Sequence, residues 1–170
     1  MVFGLFRNDD PTAQWPEHVG GDVLLDLRAF TLNTVPIGAP ALELEVLGRP
    51  TNRRPFKDER FEFTRTGVVV EIENDKVSYF AVTFVDPSGN ALDSGPVTIV
   101  MPNGTHLTVG GDSDPMLLLP HLPPPDIAGE DEQERWIEFD LGHHKLELEA
   151  APNGGALRRI NLFPKGPPGG

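Results

Sequence analysis

Residues 61–84 read FEFTRTGVVVEIENDKVSYFAVTF, and the period of this stretch decides the fold. Apolar side chains recur at every second position: Phe61 and Phe63, then Val68, Val70 and Ile72, then Phe80 and Val82. Alternation at period two is the signature of strands that bury one face. The intervening positions carry Glu62, Glu71 and Glu73, so the expected sheet is antiparallel, packed on one side and wet on the other. The last two of the three strands are expected to form a hairpin.

Working outward, the same pattern returns. Phe61-Glu62-Phe63 reappears 76 residues later as Ile137-Glu138-Phe139, and Glu71-Ile72-Glu73 as Glu147-Leu148-Glu149. After four extra residues around Pro152-Asn153-Gly154-Gly155, Phe80 and Val82 correspond to Ile160 and Leu162. Upstream, a shift of 75 lays Pro40, Leu42, Leu44, Leu47 and Pro50 on Pro115, Leu117, Leu119, Leu122 and Pro125, with Leu25 on Val100 and Leu32 on Leu107. A chain that repeats itself is read one copy at a time. Each copy opens on two short apolar strands, Val23 to Leu27 with Phe30 to Leu32, and Val97 to Met101 with Thr105 to Val109, the second pair closed by Asn103-Gly104. A short helix follows, with Pro40 or Pro115 at its first position, Asp114 as the cap of the second, and ends before Pro50 and Pro123.

The expected architecture is therefore α+β, two tandem β-β-α-β-β-β units with antiparallel sheets and one short helix each, the helices covering the packed faces. The units span 22–85 and 96–164, standing apart or forming one joint domain, after a leader at 1–21 and before a disordered tail at 165–170; Asp86 to Gly95 links them. Leu42, Leu44, Leu47, Phe61, Phe63, Val70 and Ile72 should be buried in one unit, and Leu117, Leu119, Leu122, Ile137, Phe139, Leu146 and Leu148 in the other. Matched spacing matters here, since a slip of one residue turns a strand inside out.

Composition narrows the function. Among 170 residues there are 18 Gly and 18 Pro, which favours short elements and many turns over a helical bundle. No cysteine is present, so disulfides, thiolate metal sites and a cysteine nucleophile are excluded. A net charge of −12 repels phosphate backbones and anionic lipid surfaces, so neither nucleic acid nor membrane is an expected partner. The start, MVFGLFRNDD, lacks the basic and apolar regions of an export signal, and the expected location is the cytoplasm.

The helix ending in Leu47-Gly48-Arg49-Pro50, the aromatic strand at Phe61 to Phe63 and the hairpin from Gly67 to Phe84 together resemble the small α/β unit of the beta-lactamase-inhibitor-like and small outer-membrane-lipoprotein superfamily, and bacterial proteins that carry two such units. The resemblance covers residues 22–164 and implies a binding or scaffold role without catalysis; this chain departs from the superfamily in lacking cysteines and any lipid-anchor or export signal.

Reactive groups are sparse. His18, His106, His121, His143 and His144 lack metal-ligand spacing, and His143 and His144 read as surface turn residues. Asp112-Ser113-Asp114 reads as a helix cap rather than a cation motif. None of Ser78, Ser88, Ser94 and Ser113 sits in a nucleophile motif, the paired glycines lack phosphate-loop spacing, and no cofactor is expected. Glu71, Glu73, Glu147 and Glu149 read as a solvated sheet face.

One asymmetry rises above this. The loop after the first helix carries Arg53, Arg54, Lys57 and Arg60, whereas its counterpart carries Glu130, Asp131, Glu132 and Glu134. Either these are two solvated loops, or they are oppositely charged ends that meet in self-association or, at the acidic end, hold a basic partner. The expected function is that of a non-enzymatic, acidic protein-binding or accessory protein, immunity-like, with an unidentified protein partner. Its rivals are an enzyme using His143 or His144 with Glu147 or Glu149 in a cleft between the units, and a scaffold acting through an exposed sheet edge.

Overall fold

The computed structural model describes residues 10–17, 21–54, 59–86 and 88–166. Among the described residues thirteen strands build two sheets, and the remaining regular structure is short 3-10 helix. The larger sheet has eight strands: β4 (Asn52–Arg54), β5 (Glu59–Phe63), β6 (Val68–Glu73), β7 (Lys76–Thr83), β10 (Ile127–Glu130), β11 (Arg135–Asp140), β12 (His144–Ala150) and β13 (Leu157–Pro164). Its order is β10-β11-β12-β13-β7-β6-β5-β4, so the same succession runs inward from both edges. At the centre β7 and β13 pair antiparallel with Ala81 opposite Asn161, flanked by Val82 opposite Ile160 and Phe80 opposite Leu162. Ala81 and Asn161 are sequence-equivalent, and the flanking pairs are crossed, Val82 facing the equivalent of Phe80 and Phe80 the equivalent of Val82, as a local twofold normal to the sheet requires.

The smaller sheet contains β1 (Val23–Asp26), β2 (Thr31–Leu32), β3 (Val35–Pro36), β8 (Val97–Val100) and β9 (His106–Val109), in the order β3-β2-β1-β8-β9. The hairpin β8/β9 turns through Asn103-Gly104, where Gly104 has φ +85° and the Asn103 side chain accepts from Thr105 N–H. Here the structure departs from the expected all-antiparallel pairing. Strands β1 and β8 run parallel, in register from Val23 with Val97 to Asp26 with Val100. Both sheets thus draw strands from both halves of the chain, and separate β-β-α-β-β-β units are not what forms. Extra strands β4 and β10 occupy what was expected to be loop.

The two sheets share one hydrophobic cluster, which includes Leu25, Leu32, Ile99 and Met101 from the smaller sheet and its continuation, and Phe61, Phe63, Phe80, Phe139, Leu146 and Leu148 from the larger. The packed face is therefore closed mainly by a second sheet; the helical segments plug its margin. The expected inward faces of β5, β6, β11 and β12 hold at every named position, but those of the helices do not. Residues Ala41–Leu47 form a 3-10 helix, with three residues per turn, so Ala41, Leu44 and Leu47 share one face and Leu42 is left 63% exposed. In the second half Pro115–Leu117 and Leu119–His121 are two 3-10 turns, with Asp114 Oδ1 accepting from Met116 N–H at 2.8 Å; Leu118 is buried, Leu117 is 59% exposed, and Leu119 and Leu122 are half-buried.

The segment read as a leader also contributes to the core. Asp10 caps the 3-10 turn Pro11–Gln14, and Trp15 is buried with its ring edge-on to Phe61 at 5.8 Å. The insertion around Asn153 is a longer turn joining β12 to β13. Lys165, expected in the tail, ion-pairs with Asp140, while residues 167–170 lie outside the described residues. Among the described residues no helix is long and apolar enough to cross a membrane.

Candidate functional site

The two oppositely charged segments sit at opposite edges of the larger sheet. Arg53 and Arg54 lie on β4; Glu130 lies on β10, Asp131 and Glu132 in the turn that follows, and Glu134 just before β11. Lys57, like His18, lies outside the described residues. On the basic edge each described arginine has a carboxylate within ion-pairing distance. Arg53 donates through Nη1 to Asp10 at 2.8 Å and through Nε to Glu59, and its guanidinium stands over the Phe61 ring. Arg54 and Arg60 share Glu62, at 3.5 and 2.9 Å, and Arg60 also approaches Glu71 at 3.8 Å.

The acidic edge differs. Asp131 accepts backbone N–H groups of Gln133 and Glu134 at 2.7 and 2.9 Å, hydrogen bonds that hold its carboxyl below the usual range. Glu130 accepts Asn153 N–H at 3.3 Å. Among the described residues no cation stands within ion-pairing distance of Glu130, Asp131, Glu132 or Glu134. The backbone is also open there. Asp131 N–H closes on Glu134 O at 2.9 Å, which fixes the ladder so that alternate residues, Ala128 and Glu130, turn their N–H and C=O groups away from β11. Beside them Ile127 is 52% exposed, and Met116 is exposed near Arg135. On the sheet's outer face Trp136 lies across Gly129, where a Cβ would come within 2.3 Å of the indole, so the edge glycine is capped by the ring beside it.

Between the edges, the outer face of the sheet carries a hydrogen-bonded network centred on the twofold. Asn161 is only 3% exposed. Its Oδ1 accepts from the Tyr79 hydroxyl, and its Nδ2 donates to Glu147 at 2.8 Å and Glu149 at 2.6 Å. Arg159 bridges Thr83 Oγ1 at 3.3 Å and Glu149 at 3.6 Å. Burial pushes the Glu147 carboxyl up, and the Glu149 charge adds to the effect. Burial likewise pushes the Tyr79 phenol up to about 12. Asn161 was missed by the sequence reading; its signal is a polar residue between Ile160 and Leu162 where the first half has Ala81.

Tyr79 is the only tyrosine, so its ionisation can be read directly. Absorbance at the tyrosinate band should show a midpoint near pH 12 in the folded protein and near 10 once it is unfolded. With the folded value above the unfolded one, the native state holds its proton longer, and stability falls as pH rises from 10 towards 12. A native midpoint near 10 would show that the phenol is not closed in by this network.

The structure does not unite the His/Glu set. His144 shares the inward parity of Leu146 and Leu148, while Glu147 and Glu149 project from the outer face of the same strand. His144 is not the surface turn residue its neighbourhood suggested: its ring stacks on Phe30 at 3.9 Å, its Nδ1 is buried without a hydrogen-bond partner among the described residues, and burial, then the His143 charge, hold its pKa below the usual range. His143 is exposed. Among the described residues no group of three or more His, Asp or Glu is placed to hold a metal ion.

No family model matches the chain. No curated protein matches it. Among solved structures, a cysteine-rich secretory protein from Staphylococcus aureus subsp. aureus Mu50 superposes with a TM-score of 0.46 at 9% identity, over 76% of this chain and 44% of that one, so the chain spans less than half of that protein's length.

Proposed function

We propose that this is a non-enzymatic binding protein that holds a basic segment of a partner protein against the β10 edge. The observation that carries the reading is the contrast between the two edges: the arginines of β4 are already paired, whereas the four carboxylates around β10 stand without cations beside an open backbone edge. Unpaired strand edges accept added strands, and a charged rim selects among them. The same contrast weighs against head-to-tail self-association, since the basic edge would have to give up its own ion pairs. The matched strand order and the twofold at Ala81 and Asn161 support descent of the two halves from one duplicated unit. The reading places the protein in the cytoplasm, where a chain without cysteines needs no oxidising compartment.

The test is crosslinking with mass spectrometry in host extract at low salt, using the wild type, Glu130→Lys/Glu132→Lys and Arg54→Glu. The expected result is a basic partner crosslinked near 127–134 in the wild type and in Arg54→Glu, and lost in the double variant, with melting temperatures close to wild type. Crosslinks that persist in the double variant, or that map away from β10, would overturn the proposal.

A further inference from the structure

A concavity of about 460 Å³ opens on the polar face, at one end of the β7/β13 seam. That volume lies within the roughly 300 to 1,000 Å³ typical of small-molecule sites. Its wall gathers Arg54, Arg60, Arg158 and Arg159, and its floor is made of the half-buried apolar side chains of Val69, Val85 and Leu92. In a chain of net charge −12, these four guanidiniums offset the four carboxylates that also line the concavity, Glu62, Asp86, Glu134 and Glu149.

The arginines are held in place but not saturated. Arg54 stands 3.5 Å from Glu62 and Arg159 stands 3.6 Å from Glu149, longer than the roughly 2.7 to 2.9 Å of a charge-assisted hydrogen bond. One carboxylate, Glu62, serves two guanidiniums. Arg158 pairs with no carboxylate among the described residues and donates instead to Gln133 O at 2.6 Å, which leaves most of its five N–H donors free. Arg60 Nε is closed off from solvent and, although 2.9 Å from Glu62, makes no well-formed hydrogen bond. Two other carboxylates line the concavity. Asp86 is occupied by its own turn, accepting from Ser88 and Asn90, and Glu134 stands without an ion pair among the described residues.

The geometry points to a site for a small organic anion, a carboxylate or phosphate carried on an apolar body. Its two oxygens would take paired N–H groups from one guanidinium, in place of the long contacts to Glu62 and Glu149, while its body covers Val69, Val85 and Leu92. This site adjoins the β10 edge and shares Glu134 with it, but the partner-binding reading is tested at Glu130 and Glu132, so failure here would leave that reading untouched.

The test is calorimetric titration of the full chain with 4-phenylbutyrate, phenyl phosphate and the neutral 4-phenylbutanol. Both anions should bind one to one, at least about tenfold more tightly than the alcohol, and the tighter of the two identifies the acid group recognised. Arg60→Gln/Arg159→Gln should weaken the anions by about tenfold or more, whereas Arg28→Gln, at a residue that ion-pairs with Asp26 and does not line this concavity, should not. Arg158→Gln, which breaks no ion pair, takes the place of the double variant if that one fails to fold. Equal binding of alcohol and anion, equal loss in Arg28→Gln, or no saturable binding of either anion at millimolar concentration would overturn the assignment.

Discussion

Replacing Gly67 by alanine should remove a large share of the stability of this protein. Gly67 has φ +67°, a conformation that costs an L-residue roughly 1 to 2 kcal/mol by itself. A Cβ there would also lie 2.1 Å from Thr83 O and 3.2 Å from Ser94 Cβ. The carbonyl oxygen cannot simply retreat. Thr83 N–H donates to Gly67 O at 2.8 Å, so the two residues are tied across the hairpin, and Thr83 is paired on its other side with Arg159 at the central seam. Relief would have to open the place where the two halves of the larger sheet join. The expected loss is about 3 to 5 kcal/mol, at the upper end of single-substitution effects and a large share of the roughly 5 to 15 kcal/mol by which domains are stable. Gly142→Ala is the control: its φ is +90°, but nothing lies within 4 Å of its Cβ position, so only the backbone cost of about 1 to 2 kcal/mol should appear. Urea unfolding midpoints would decide the matter, and equal losses in the two variants would show that the seam yields easily.

That seam also marks how far the fold was legible in the sequence. Period-two alternation assigns β5, β6, β7, β11, β12 and β13 with the correct inward faces, because in a half-wet sheet burial follows side-chain parity directly. Two things escaped. Strands β4 and β10 carry no alternation, because edge strands with a charged or short sequence have little to bury, so Arg53, Arg54 and Glu130 were read as loop. The parallel pairing of β1 with β8 escaped as well, since both are short runs buried on one face and nothing in such a run records the direction of its neighbour. For the candidate site, the opposite charges of the two segments were visible, but which of them is already neutralised depends on Asp10, Glu59 and Glu62. Those partners are brought in by pairing and by the packing of Trp15, which no local pattern announces.

The second large effect separates two ways of aligning the halves. The shift of 75 suggested by the prolines places Leu44 on Leu119 and Leu42 on Leu117. Burial follows a shift of 74 instead: Val23 with Val97, Leu25 with Ile99, Leu27 with Met101 and Leu44 with Leu118 are buried pairs, and the first two also stand opposite one another in the register of β1 and β8. The physical cause is the 3-10 geometry of the helical segments, in which every third side chain returns to one face, so Ala41, Leu44 and Leu47 correspond to Pro115, Leu118 and His121. Leu44→Ala and Leu118→Ala should each cost about 2 to 5 kcal/mol, because both side chains are fully enclosed in the shared core. Leu42→Ala and Leu117→Ala, on the exposed faces, should stay within about 0.5 kcal/mol of wild type. Leu119→Ala should fall between, since that side chain packs against the cluster from outside. If denaturation instead ranks Leu117 or Leu119 above Leu118, then the second helical segment presents the face that the prolines suggested, and the three-residue period assigned to it is wrong.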